Sequence, residues 1–185
     1  MEPPTAEASL VLLTTPDLGA RAHELRALFD EAWQGDDAFD DDDWAHTIGG
    51  THFVMEVDGT VRSHVSVVPR NLVTGDRNFL TGYVEAVATR ESDRGLGYAS
   101  ELMRAATDFI DGRYELGALG TELFDFYARC GWERWRGPTS VRTDEGELAT
   151  PQEDGFVMVH RTPATSAGLD LDAPISCDWR PGDAW

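Results

Sequence analysis

The sequence predicts one α/β domain built on a mixed sheet. Three observations carry this prediction. A length of 185 residues suits one domain and is short for two. Apolar residues recur with period two in some segments and with helical spacing in others. The two patterns alternate along the chain, with no internal repeat and no linker between blocks.

Leu10 to Leu13 is a short apolar run that reads as the first strand. Asp17 follows as an N-cap for a helix whose apolar face is Leu18, Ala22, Leu25, Leu28, Phe29 and Trp33, ended by Gln34-Gly35. An acid-rich stretch, Asp36 to Asp43, leads to Trp44 and a short helix toward Ile48, broken by Gly49-Gly50. His52–Val57, the Asp58-Gly59 turn and Thr60–Val68 form a hairpin signal. A turn at Thr74-Gly75-Asp76 joins Leu72-Val73 to Phe79-Leu80, and Tyr83–Thr89 is a strand with one acid, Glu85, inside it. A helix follows the Arg94–Gly97 turn, with Leu102, Met103, Ala106, Phe109 and Ile110 on its apolar face. Tyr114–Leu119 reads as a strand, Thr121–Arg129 as a short helix, Trp132–Trp135 as a strand start, and Gly155–His160 as the last clear strand. From Thr162 to Trp185 the chain is rich in Pro, Gly, Ala and Asp, but it carries Trp179 and Trp185.

Composition excludes whole classes of partner. Fifteen basic residues, all Arg, face 34 acids for a net charge of −19. Nucleic acid and anionic membranes would be repelled, whereas a cationic ligand would be attracted. No run reaches the length of a membrane span. The first residues carry Glu2 and Glu7 and no basic region, so no secretory signal is read and a cytoplasmic protein is expected. Cys130 and Cys177 are then two reduced thiols. The five histidines show no metal-ligand spacing, so no metal is expected.

The segment Val84 to Ala99 carries the most chemistry. A strand runs into Arg94-Gly95-Leu96-Gly97-Tyr98-Ala99, and a helix starts at once. Glycines there let the backbone turn and point successive N–H groups at one spot, beside the positive end of the helix. Such a turn either cradles a pyrophosphate, with Arg94 and Arg90 supplying charge, or is only a tight strand-to-helix connection. Glu85 is either a solvent-facing strand residue or a carboxylate facing a polar cleft.

Arg94-x-x-Gly97-x-Ala99 between strand and helix resembles the acetyl-CoA signature of the GNAT acyltransferases, and the element order agrees with theirs. Trp44–Gly50, Gly82–Val87, Tyr114–Leu119, Gly131-Trp132 and the ending Cys177–Trp185 look like the aminoglycoside 2′-N-acetyltransferases within that superfamily. The resemblance runs from about Leu10 to Trp185.

The resemblance implies a GNAT fold over residues 1–185: a mostly antiparallel mixed sheet splayed between the fourth and fifth strands and flanked by helices. The tail, about 162–185, would complete the acceptor site. It implies acetyl transfer from acetyl-CoA to the 2′-amino group of an aminoglycoside, by direct attack in a ternary complex, conferring resistance. Glu85 is the implied base, acting on the substrate ammonium through water. Tyr127 is the implied acid for the departing CoA thiolate. Val87, Ala88 and Thr89, with Arg94, Gly95, Leu96, Gly97, Tyr98 and Ala99, would hold the acetyl-CoA, the N–H near Val87 polarising the thioester carbonyl. Asp36 (or Asp37), Asp43, Glu85, Asp154, Asp183 and Trp185 would meet the cationic antibiotic, Trp185 through its α-carboxylate as well. The loop Gly120-Thr121-Glu122 lacks the serine common at its first position in that family. A homodimer is the implied assembly. Two other readings of the same sequence are a GNAT enzyme for another polycationic amine and a non-catalytic protein that binds acyl-CoA or antibiotic.

Overall fold

The computed structural model describes residues 7–165 and 167–185. The first six residues, read above for a signal, and Ser166 of the tail lie outside the described residues, as does the side chain of Asp37. The chain divides into two compact units: residues 1–67 with 85–106, and residues 68–84 with 107–185.

In the first unit β1 (Ala8–Thr14) pairs antiparallel with β2 (Thr51–Val57), from Ala8↔Val57 to Thr14↔Thr51. β2 pairs antiparallel with the start of β3 (Thr60–Thr74) across a tight hairpin. Asp58 and Gly59 both take positive φ there, 51° and 73°, as a two-residue turn matched to the strand twist requires. Asp17 does not cap the first helix as expected. Gly19 at φ 53° breaks the chain first, Asp17 pairs with Thr14 in a short 3-10 turn, and α1 spans Arg21–Ala32. Its buried face is still Leu25, Leu28 and Phe29, which pack with Leu18, Val54, Val61 and Ala88. α2 (Asp41–Thr47) starts three residues earlier than Trp44. The acids favour this: the Asp40 side chain accepts from the amides of Asp42 and Asp43, and the Asp43 side chain accepts from Asp40.

In the second unit the strand order is β6-β9-β5-β4-β3-β10-β7-β8. Here β4 is Arg77–Thr89, β5 Leu116–Gly120, β6 Glu133–Arg134, β7 Thr139–Thr143, β8 Gly146–Ala149, β9 Val157–Arg161 and β10 Ile175–Asp178. The pairs β4/β5 and β10/β7 are parallel, whereas β5/β9, β6/β9, β7/β8 and β10/β3 are antiparallel. The β4/β5 ladder is short: it runs from Thr81↔Leu116 to Tyr83↔Ala118 and stops there. α3 (Tyr98–Asp111) contributes to both units, and α4 is Phe124–Arg129. Leu72, Phe79, Tyr83, Trp135, Val157, Val159, Ile175 and Trp185 are among the core residues of this unit. Gly82 is required by closeness: a Cβ there would stand 2.8 Å from Ile110 and 2.9 Å from Tyr114.

Gly155–His160 is not the last strand. β10 lies inside the Pro/Gly/Asp-rich tail, because Ile175 and Cys177 are buried between β3 and β7. β7 and β8 were not expected; their Thr, Arg and Glu content gives little apolar alternation. No helix among the described residues is long and apolar enough to cross a membrane.

Candidate functional site

The chemistry-bearing residues of the first unit follow one another along β4 and the loop after it. Glu85 is half-buried, and the next residue, Ala86, has φ 48°. A non-glycine residue takes such an angle only where its surroundings impose it. The surroundings are three β3 side chains that reach carbonyls of β4. Ser66 Oγ donates to Glu85 at 3.2 Å, His64 Nδ1 lies 2.8 Å from the oxygen of Ala86, and Ser63 Oγ donates to Ala88 at 2.7 Å. In a regular strand successive carbonyls point to opposite sides, whereas those of Glu85 and Ala86 both meet β3 side chains and Ala86 has positive φ, so β4 is bulged there.

Past Thr89 the strand enters the glycine loop. Gly95 and Gly97 have φ 84° and 89°, and the first helical bond closes from Glu101 N to Gly97 O at 3.0 Å. The N–H groups of the first turn of α3 therefore have no acceptor one turn back. Arg94 is exposed beside them. Arg90 is not available for the role read from the sequence. Its guanidinium binds Glu31 Oε2 at 2.7 Å and the carbonyl of Ala27 at 3.3 Å, clamping the loop to α1. Arg90, and the amide of Glu91 that also binds Glu31, hold the Glu31 carboxyl below its usual range. An exposed, positive, glycine-shaped turn at a helix start fits a pyrophosphate-bearing ligand such as acetyl-CoA. Asp36 is exposed and Asp43 half-buried in this unit, and the Asp43 carboxylate takes part in the α2 cap.

The second unit holds a cavity of about 330 Å³ lined by Gly120, Thr121, Glu122, Gln152, Glu153, Phe156, Asp183 and Trp185. Two residues expected from the sequence, Asp183 and Trp185, stand in its wall. The Trp185 amide donates to Asp183 Oδ1 at 3.2 Å, and its indole N–H donates to Thr150 Oγ1 at 3.1 Å. Arg180 Nε donates to the carbonyl of Asp183 at 2.8 Å, closing the turn of the tail.

Asp154, also expected here, does not stand among the lining residues. Its Oδ1 accepts from the amide of Thr139 at 2.7 Å and so ties the loop to β7. Its neighbour Glu153 faces the cavity instead, and burial together with the Asp183 charge raises its carboxyl above the ordinary range. Sequence reasoning missed Glu153 because two adjacent acids look alike until a 3-10 turn (Pro151–Glu153) decides which one points inward. Thr121 and Glu122 are in the wall as well, although the loop lacks the serine expected of it.

Tyr127 is the buried residue of α4. Burial, with the Cys130 thiol beside it, pushes its phenol above the usual range, so it keeps its proton. It packs edge-on against Phe126 at 4.9 Å.

Residues 20–135 match the family described as acetyltransferase (GNAT) domain. An aminoglycoside 2′-N-acetyltransferase of Mycolicibacterium fortuitum is 41% identical over 181 residues, which is 94% of this chain and 90% of that protein. Among solved structures, a GNAT family N-acetyltransferase from Escherichia coli in complex with CoA aligns with TM-score 0.67 at 18% identity. It covers 96% of this chain and 93% of its own. A GNAT acetyltransferase from Brucella melitensis in complex with acetyl-CoA aligns with TM-score 0.56 at 18% identity, covering 84% and 97%.

Proposed function

The chain belongs to the GNAT acetyltransferases, and within them to the aminoglycoside 2′-N-acetyltransferases, and from that membership we propose that it moves an acetyl group from acetyl-CoA to the 2′-amine of an aminoglycoside. The observation that carries the substrate class is the acid-walled cavity of the second unit, where Glu122, Glu153 and Asp183 stand together. A substrate bearing several ammonium groups meets opposite charge there, and the molecule's net charge of −19 adds long-range attraction.

The turn from Arg94 to Ala99 is the proposed seat of the CoA pyrophosphate, bound by the first-turn amides of α3 and the Arg94 guanidinium. Val87, Ala88 and Thr89 are proposed to lie along the acyl arm, with the Val87 N–H donating to the thioester oxygen as charge develops on it. Glu85 is the proposed base: an ammonium must lose a proton before its lone pair can attack, and Glu85 accepts it through water. Tyr127 is the proposed acid. It carries a proton to donate, but burial makes it a weak acid, so its help to the leaving thiolate is small and a thiolate also leaves unaided. Asp183, Trp185 and Glu153 are proposed to hold the acceptor in the second unit. Asp36 and Asp43 are proposed substrate contacts as well, and Asp154 a supporting residue through its bond to Thr139. A homodimer, a cytoplasmic location and a role in resistance belong to the same proposal.

The test is CoA release by purified protein with tobramycin, which has a 2′-amine, and kanamycin A, which has a 2′-hydroxyl. Turnover of the first alone supports the reading. Equal turnover of both keeps the acetyltransferase and rejects the 2′ position. No turnover of either moves the substrate to another polycationic amine.

A further inference from the structure

One row of hydrogen bonds, running from the surface at Gly49 through two buried histidines, lies outside the mechanism just described, and it ends on the distorted part of β4. It begins at the carbonyl of Ala86. A carbonyl only accepts, so His64 Nδ1, 2.8 Å away, must carry a proton and donate. In the neutral ring Nε2 is then an acceptor, and His52 Nδ1, 3.0 Å away, donates to it. His52 Nε2 accepts in turn from the Thr15 hydroxyl at 3.0 Å, and Thr15 Oγ1 accepts from the Gly49 amide at 2.9 Å. Each imidazole nitrogen is used, all in one direction.

Both imidazoles are fully buried, and His64 packs edge-on against Phe29 with ring centres 5.1 Å apart. Burial keeps them neutral: it lowers His52 to about 4 and, with His52 adding to the effect, His64 to about 3. Two neutral rings in series therefore have one allowed tautomer each, Nδ1–H in both.

The consequence falls on the next peptide. C=O and N–H of one trans peptide point in opposite directions. With the Ala86 carbonyl drawn toward His64, the Val87 N–H is turned to the opposite side. A hydrogen bond at the carbonyl also polarises the amide and strengthens its N–H as a donor. Ala86 itself takes φ 48°, a left-handed conformation that a non-glycine residue rarely adopts.

We propose that His52 and His64 are positioning residues for acyl transfer: as a tautomer-locked pair they fix the Ala86–Val87 peptide so that the Val87 N–H presents to the thioester oxygen. The proposal rests on the reading of that N–H as the oxyanion donor. A mere core-filling role would predict that any folded variant keeps its turnover.

The first test is ¹⁵N NMR of histidine-labelled protein at pH 7. Neutral rings with Nδ1–H on both His52 and His64 are expected; Nε2–H on His64, or a charged ring, overturns the proposal. The second test is kinetic. His64→Leu is expected to lower kcat on the order of 10²-fold, the low end for loss of an oxyanion donor, with KM for acetyl-CoA within about threefold. His64→Asn, whose amide nitrogen stands near the place of Nδ1, is expected to recover at least about tenfold of that loss.

Equal kcat in folded wild type and His64→Leu, or no rescue by Asn, overturns the proposal. Should His64→Leu fail to fold, His52→Leu serves. It removes the His52 donor to His64 Nε2 and leaves the Ala86 bond alone to hold the ring, and a kcat there equal to that of wild type overturns the role of the pair. Wild-type protein that shows the expected tautomers yet releases no CoA with any amine instead overturns the acetyl-transfer reading. Turnover in wild type matched by the variants overturns the histidine role alone.

Discussion

The guanidinium of Arg70 donates to the carbonyl of Ala184 at 2.7 Å, across 114 positions of sequence. The same buried group binds the carbonyl of Asp178 at 2.6 Å and its carboxylate at 3.2 Å, and lies over the ring of Tyr83 at 4.8 Å. One β3 side chain thus fastens the tail at two points, on either side of Arg180 and Asp183. Lysine offers a single ammonium where the arginine fork serves two carbonyls. Arg70→Lys is expected to cost about 2 kcal/mol, the scale of one or two charged hydrogen bonds, read by denaturant unfolding. It should also raise KM for the aminoglycoside, because the cavity loses the fixed position of Asp183.

Asp183→Asn keeps the shape of the turn and removes the charge. A rise in KM for tobramycin of roughly tenfold is expected, equal to about 1.4 kcal/mol, with KM for acetyl-CoA unchanged. The wild-type KM should rise with salt, since opposite charges are paired across the site. A KM in the Asn variant equal to that of wild type removes Asp183 from the acceptor contacts.

Glu153 sets stability against binding. Its carboxyl is raised by burial and by Asp183, so the folded protein binds this proton more tightly than the unfolded chain does. The sign follows: the contribution is favourable at low pH and is lost as pH rises through the folded value. Glu153→Gln should therefore raise the melting temperature of the free protein at pH 7.5 while weakening tobramycin binding. Thermal scans with and without drug read both effects, and a variant that gains affinity contradicts the ligand role.

Glu85→Gln is expected to reduce kcat on the order of 10²-fold, the ordinary contribution of a general base, with little change in the Kd of acetyl-CoA. Unchanged turnover across the pH range contradicts the role.

His52 and His64 make the fold acid-sensitive. Their folded values, about 4 and about 3, lie below the unfolded value of 6.5. The unfolded chain takes up these protons first, so the stability from keeping both rings neutral is full above pH 6.5. It is lost progressively as pH falls toward 4 and then 3. Replacing either histidine with leucine should flatten the dependence of melting temperature on pH between 6.5 and 4.

What the sequence made legible was mostly local. Hairpin chemistry at Asp58-Gly59, the apolar face of α3 and the glycine turn at Arg94 to Gly97 are each set by residues a few positions apart. The sheet order was visible only in part, because β10 gains its place by burying Ile175 and Cys177 between β3 and β7, a fact no window of ten residues contains. Among the candidate residues, Asp183 and Trp185 were singled out from the ending and line the cavity, whereas Glu153, not Asp154, lines it beside them, a difference set by one 3-10 turn. Arg90 misled for a like reason: Glu31, its partner, lies 59 positions away. The histidines gave no signal because scattered histidines are ordinary, and only β2 and β3 bring His52 and His64 within 3.0 Å.

The row from Gly49 to Ala86 also has an electrical consequence. A chain of imidazoles and a hydroxyl is the usual material of a proton conductor, but this one is blocked at both ends. The Gly49 amide does not release its proton, and the Ala86 carbonyl does not keep one. Two imidazoles that stay neutral well below pH 7 thus hold a fixed pattern of donors and acceptors behind β4 rather than passing protons along it. If Glu85 is the base proposed above, this row offers its proton no relay at the Ala86 end, where the acceptor is a carbonyl.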